Sequence, residues 1–150
     1  MFDSLHALKK GTNNQRLAYK AIQNLHILDD LKEYKPTICG TIPIGLNTNH
    51  SDIDVIMEVY NLEKWENKVR TLYGEKTDFT FTRKRIRGLE IGKANFSFQD
   101  FEFELFGQGK PVLQQNAYLH MVIEFETLKQ FPDFKKEVIR LKQKGWNTEA

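Results

Sequence analysis

The stretch Gly40-Thr41-Ile42-Pro43-Ile44-Gly45-Leu46-Asn47-Thr48-Asn49-His50-Ser51-Asp52-Ile53-Asp54-Val55-Ile56-Met57 decides how the rest of the chain is read. It opens on a glycine turn after the short β run Thr37–Cys39 and crosses a loop. It ends in an apolar run headed by two carboxylates, Asp52 and Asp54. In an extended strand, residues i and i+2 share a face. The two aspartates therefore aim negative charge at one point, an arrangement that repels itself unless a cation sits between them. Hard divalent cations bind such oxygens, usually through one or two protein carboxylates with substrate phosphates completing the shell. Val55-Ile56-Met57 is apolar on both faces, as a central strand covered on both sides should be.

Working outward, residues 2–10 read as a short helix with Leu5 and Leu8 on one side. A longer helix is predicted over residues 14–32 from the stripe Leu17, Ala21, Leu25, Leu28 and Leu31. Pro36 ends it. Downstream, Asn61 is placed to cap a helix running to Tyr73, with Leu62, Trp65, Val69 and Leu72 as its stripe. Residues 77–87, 89–98 and 101–106 alternate as strands, turned at Gly88 and at Gln99-Asp100. Residues 113–131 form a helix with Tyr118, Met121, Val122, Phe125 and Leu128 on one face. After Pro132-Asp133 a last helix carries Phe134, Val138 and Leu141 and stops at Gly145. Helices, then sheet, then helices is an α+β order. It makes one domain, with N-terminal helices over 1–35, a sheet core over 36–112 and C-terminal helices over 113–145.

Composition agrees. At 150 residues and 40% hydrophobic, the chain is large enough for one real core. A net charge of +2 carries no strong nucleic-acid signature. The single Cys39 excludes an intramolecular disulfide and a multi-cysteine zinc site, and its apolar neighbours predict a buried thiol. No apolar run approaches the ~18–20 residues that span a bilayer, and the first ten residues hold no long apolar segment of a signal peptide. The expectation is a cytoplasmic protein without a membrane partner.

The pattern of an apolar strand, Gly40-Thr41, a loop, then Ser51-Asp52-Ile53-Asp54-Val55 resembles the DNA polymerase beta-like nucleotidyltransferase superfamily. In that superfamily a small-residue turn precedes a strand whose two acids flank an apolar residue, and a later strand supplies a third acid. Strand parity offers two candidates: if Phe101, Phe103 and Leu105 face the core, Glu102 and Glu104 share the other face. A closer resemblance covers nearly the whole chain. Gly40 through Gly45, Ser51 through Asp54, Glu104-Leu105-Phe106-Gly107-Gln108, Gln115 through Met121, Leu141-Lys142 through Gly145 and Thr148-Glu149-Ala150 look like the bacterial domain of unknown function 4269 family, itself regarded as nucleotidyltransferase-like. Its Glu104-Leu105-Phe106-Gly107 run favours Glu104. Two departures stand out. His50 occupies the position where glycine is expected, and similar sequences continue beyond Ala150.

The resemblance implies a mixed β-sheet flanked by helices with a C-terminal helical segment. It implies a Mg²⁺-dependent nucleotidyltransferase, with Mn²⁺ as a substitute, moving a nucleoside monophosphate from a nucleoside triphosphate to a hydroxyl acceptor. Asp52, Asp54 and Glu104 would be the catalytic and metal-binding acids. Such transfer needs charge neutralised at phosphorus and attack aligned in space, and a third carboxylate can also take the acceptor's proton. Gly40, Thr41 and Ser51 would lie at the phosphates, where a glycine turn lets backbone N–H groups approach. Gln115, Asn116 and His120 would form a pocket wall for base or ribose. Asn116, His120 and Glu124 make a polar helical stripe, which on its own is equally a solvated face. Arg83, Arg85 and Arg87 should share one face of their strand, as a solvated edge or as an anion site, while Phe79 and Phe81 read as core. The alternative is a nucleotidyltransferase fold that binds a nucleotide or a protein without turnover.

Overall fold

The structure, a computed structural model, describes residues 3–45 and 52–133 together with Glu137 and Arg140. Phe134, Val138, Leu141 and Gly145 of the predicted last helix and the departure at His50 lie outside the described residues, as does Ser51. The helices are α1 (Ser4–Lys9), α2 (Asn13–Leu25), α3 (Ile27–Asp30), α4 (Leu62–Tyr73) and α5 (Asn116–Gln130). The strands are β1 (Thr37–Cys39), β2 (Ile53–Glu58), β3 (Thr77–Ile86), β4 (Leu89–Phe98) and β5 (Phe101–Gln108). They form one mixed sheet in the order β1-β2-β5-β4-β3. Only the β2–β5 pair is parallel in that sheet. The expected α+β architecture, with helices flanking a mixed sheet, is the observed one.

The sheet has two unlike faces. On one, Ile53, Val55 and Met57 of β2, Phe103 and Leu105 of β5 and Phe96 of β4 meet α2 and α4 in the larger core, around Ile22 and Trp65. Phe96 stacks between Tyr73 and Phe103 at ring separations of 5.3 and 5.4 Å. Gly107 clears the way for Trp65: a Cβ there would stand 2.9 Å from Val59 Cγ2 and 3.0 Å from the indole ring. Phe79 and Phe81 pack against this core, as expected. On the other face, Cys39 and Ile56 lie under Tyr118, Met121 and Leu128 of α5. The cysteine is buried and outside any disulfide, as its neighbours predicted.

Local chemistry sets the helix ends. Thr12 and Gln15 cap α2 reciprocally, backbone to side chain, at 3.3 and 2.9 Å. The buried Gln15 side chain then donates to the Ile42 carbonyl at 2.7 Å, tying α2 to the loop after Gly40. Asn61 caps α4 by accepting from Lys64 N–H at 3.1 Å. The predicted 14–32 helix is broken. His26 takes a left-handed conformation (φ 60°) between α2 and α3, and the turn lets Leu25, Ile27 and Leu31 all reach the core. The buried stripe of α2 is accordingly Ala18, Ala21, Ile22 and Leu25, and Leu17 is exposed.

The predicted row of three arginines also fails. Arg83 reaches Glu66 of α4 at 2.9 Å, on the core side of the sheet. Arg87 sits in a two-residue turn with Gly88, both at positive φ, so strand alternation stops before it. The Gln99-Asp100 connection is likewise a turn with both residues at positive φ. No helix among the described residues is long and apolar enough to cross a membrane.

Candidate active site

The site starts at a glycine whose backbone conformation disfavours any side chain. Gly40 has φ +88°, and a Cβ on it would lie 2.6 Å from Asp54 Oδ2. The cause is the register: Cys39 of β1 stands opposite Asp54 of β2, so the chain turns away at Gly40 directly against the Asp54 carboxylate. Thr41 follows, half-buried. Across the sheet, the parallel β2–β5 register puts Asp54 directly opposite Glu104. Glu102 and Glu104 do share a face, because Phe103 and Leu105 between and after them are fully buried on the other. Asp52 precedes β2 at the mouth of the strand.

These acids sense one another. Partial desolvation pushes the Asp52 carboxyl above its ordinary range, and the charges of Glu104 and then Glu102 push it further, with Lys93 opposing. Two of the acids hold other partners. Glu104 takes an ion pair from Lys93 Nζ at 3.3 Å, and Glu102 accepts a hydrogen bond from the Ser97 hydroxyl. Among the described residues, no three His, Cys, Asp or Glu side chains gather closely enough to hold a metal ion as they stand. The sheet registers Asp54 with Glu104, Asp52 lies just before β2, and the three do not gather into a group that holds a metal as they stand. Lys93 is paired with Glu104 instead. The donor set itself fits a hard divalent cation: it is all oxygen, it places Asp54 beside Glu104, and it leaves Asp52 crowded by negative charge.

A cleft of about 360 Å³ runs over this face, within the range of a small-molecule site. Asp54, near the start of β2, and Glu104, at the middle of β5, line it. Ile56, Ile91 and Phe106 give it an apolar wall, and Arg87 and Lys110 line it near the hairpin turn and the end of β5. Gln115 and Asn116, at the start of α5, complete the lining. Gln115 departs from its predicted role. Its side chain is buried, and Nε2 donates both protons to backbone, to Met57 O at 3.0 Å and Lys110 O at 2.9 Å. It braces the cleft and has no donor left for a ligand. His120 is exposed and does not line the cleft, because Tyr118 and Met121 are the residues α5 turns inward. Of the predicted wall, Asn116 alone lines the cleft with its side chain uncommitted to such a brace.

Sequence reading passed over Lys93 and Lys110. Lys93 was findable by parity: in the β4–β5 register Asn95 faces Glu104, so Lys93, two residues earlier, shares the acids' face. Lys110 follows Gly109 in a bend whose direction depends on tertiary contacts, and no local signal marks it.

Comparison with solved structures gives the fold. A cytoplasmic RNA terminal U-transferase superposes with TM-score 0.56 at 13% identity, covering 87% of this chain and 39% of that one. The Cid1 RNA terminal uridylyl transferase gives 0.59 at 13%, covering 87% and 40%. A MgGTP-bound Cid1 poly(U) polymerase gives 0.58 at 14%, covering 85% and 41%. The chain therefore has a nucleotidyltransferase-like fold and spans about two fifths of the length of these proteins. No curated protein sequence matches it. Residues 20–150 match the family described as "Domain of unknown function (DUF4269)".

Proposed function

The chain belongs to the domain of unknown function 4269 family, and from its site we propose a divalent-cation-dependent nucleotidyltransferase. It would transfer a nucleoside monophosphate from a nucleoside triphosphate to a hydroxyl and release pyrophosphate. The observation that carries this reading is the alignment of three elements on one point: the Gly40 turn, Asp54 packed against it, and Glu104 directly opposite across the parallel pair. The U-transferases of the same fold support it by architecture.

Each group has a task. Asp52 and Asp54 hold the cation, Mg²⁺ or Mn²⁺, with Glu104 as third ligand. When bound, the ion supplies charge neutralisation at the phosphoryl group and a template for attack. Glu104 accepts the proton as the acceptor oxygen bonds to the α-phosphorus and the bond to pyrophosphate breaks. Gly40 and Thr41, with Ser51, offer N–H and hydroxyl groups to phosphate. Arg87 and Lys110 are the cationic groups of the cleft and suit the leaving pyrophosphate. Asn116 offers its amide to the sugar or base.

A second reading is a nucleotide-binding module without turnover. The separated acids and the Lys93–Glu104 pair favour it. One experiment divides the two: nucleotide binding and pyrophosphate release, with and without Mg²⁺, on wild type and on Asp52→Asn/Asp54→Asn. Release that needs Mg²⁺ and disappears in the double variant supports the transferase. Binding without release supports the module. A wild type that binds no metal–nucleotide, and cannot be told from the variant, ends both.

A further inference from the structure

We infer that Lys93 is a built-in counter-ion that competes with the divalent cation for Glu104, so that the cation binds only by displacing it. The inference rests on the transferase reading, since it concerns the same acid. Lys93 Nζ stands 3.3 Å from Glu104 Oε1, and both side chains are about one-third exposed, at 33% and 28%. Among the described residues neither makes a second ion pair or side-chain hydrogen bond, so the pair is free to open. Its position is fixed all the same, because Lys93 and Glu104 are diagonal neighbours on adjacent antiparallel strands.

An exposed ion pair contributes little to stability, and this one would be unremarkable elsewhere on the surface. Here it sits on the carboxylate that faces Asp54. Glu104 has to turn toward Asp54 and Asp52 to share an ion with them, and the ammonium stands in that ion's field. A doubly charged cation and an ammonium within a few ångströms repel each other, so cation binding drives Lys93 away from Glu104. The displaced ammonium remains on the polar face of the hairpin beside Asn95, which is only half-buried. There it presents positive charge to an incoming phosphate. Lys93 thereby links cation occupancy to the charge of the site. Without the ion it neutralises an excess of carboxylates, and with the ion it becomes available to an anion.

The test uses Mn²⁺ alone as the probe, on the full chain, read by electron paramagnetic resonance of the free ion. Lys93→Ala should bind Mn²⁺ roughly two- to tenfold more tightly than wild type, and Lys93→Arg should bind like wild type. Amine labelling of Lys93, quantified by mass spectrometry, should rise when Mn²⁺ is added to wild type, and the rise should vanish in Asp54→Asn. Equal or weaker binding by Lys93→Ala, or labelling that Mn²⁺ leaves unchanged or lowers, overturns the inference. If Asp54→Asn abolishes Mn²⁺ binding while Lys93→Ala leaves it unchanged, the inference alone fails. If wild type itself binds no Mn²⁺ at these acids, the transferase reading fails as well.

Discussion

The two faces of β5 do opposite things. Phe103, Leu105 and Gly107 point into the larger core: the first two are fully buried, and the third yields its side-chain space to Trp65. Glu102, Glu104, Phe106 and Gln108 alternate with them on the other face, where Glu104 meets Asp54 and Lys93. One strand thus divides its labour by parity. One set of residues sets the register, and the other uses that register to aim charge. Asp54 on β2 repeats the division, between Ile53 and Val55, which are both buried. The acids can therefore be changed with little effect on the fold, whereas the residues between them cannot.

The largest effect expected from that division is on Phe103. Phe103→Ala removes a ring stacked against Phe96 and should destabilise the protein by about 3–5 kcal/mol in urea unfolding. Glu104→Gln, its neighbour, should change stability by less than ~1 kcal/mol, because it loses only a partly exposed ion pair. Comparable losses from the two would break the contrast between faces. Gly107→Ala comes next, at about 1–3 kcal/mol. Its methyl must share space with Val59 and the Trp65 ring, and both are packed in a core with little room to shift. A neutral outcome would mean that α4 can lift from the sheet, and the covered face would then be softer than its packing implies.

Much of this was legible because it is local or periodic. The Gly-Thr turn, the Asp-x-Asp pair, the all-apolar centre of β2 and the alternation of β5 each need only a period of two and the repulsion of like charges. The choice of faces for Glu102 and Glu104 followed from that same period. What could not be read depends on the third dimension. The break at His26 arises because three leucine and isoleucine side chains must reach one core, and helical periodicity alone continues straight through it. Gln115 looked like a ligand-binding amide because nothing local shows that two backbone carbonyls, of Met57 and Lys110, wait for its protons. Arg87 left the predicted row because a turn, unlike a strand, has no parity. His120 faces out because the rotation of α5 is set by Tyr118 and Met121.

Gly40→Ala tests the hinge between the faces, and Gly88→Ala is its control. Both glycines have positive φ, at +88° and +79°, so an alanine at either bears a left-handed penalty of about 1–2 kcal/mol. Only at Gly40 does the methyl also collide, with Asp54 Oδ2; at Gly88 nothing lies within 4 Å. Thermal melts should show similar losses for the two variants. Mn²⁺ binding should fall roughly tenfold or more in Gly40→Ala and stay unchanged in Gly88→Ala, since only the first moves a proposed ligand. Equal metal affinity in both variants would detach Gly40 from the site and leave it as a turn residue.

The smallest effect is the most particular to the charged face. The Asp52 carboxyl is raised by desolvation and by Glu104 and Glu102. A carboxyl whose folded value lies above its unfolded one adds stability while it is protonated, and that stability is lost as pH rises through the folded value. At neutral pH the ionised Asp52 therefore works against the fold. Asp52→Asn should remove that burden and raise the melting temperature at pH 7, by an amount on the order of 1 °C after solvent screening. The gain should shrink to nothing as pH falls below the ordinary carboxylate range, where the wild-type group is protonated too. Adding Mg²⁺ should reverse the ranking at pH 7, because a bound ion stabilises only the form that keeps the carboxylate. A variant less stable than wild type at pH 7 without any cation would mean that Asp52 is held by favourable contacts. The negative charge gathered at Asp52, Asp54 and Glu104 would then be a structural feature of the strand mouth, satisfied without an ion.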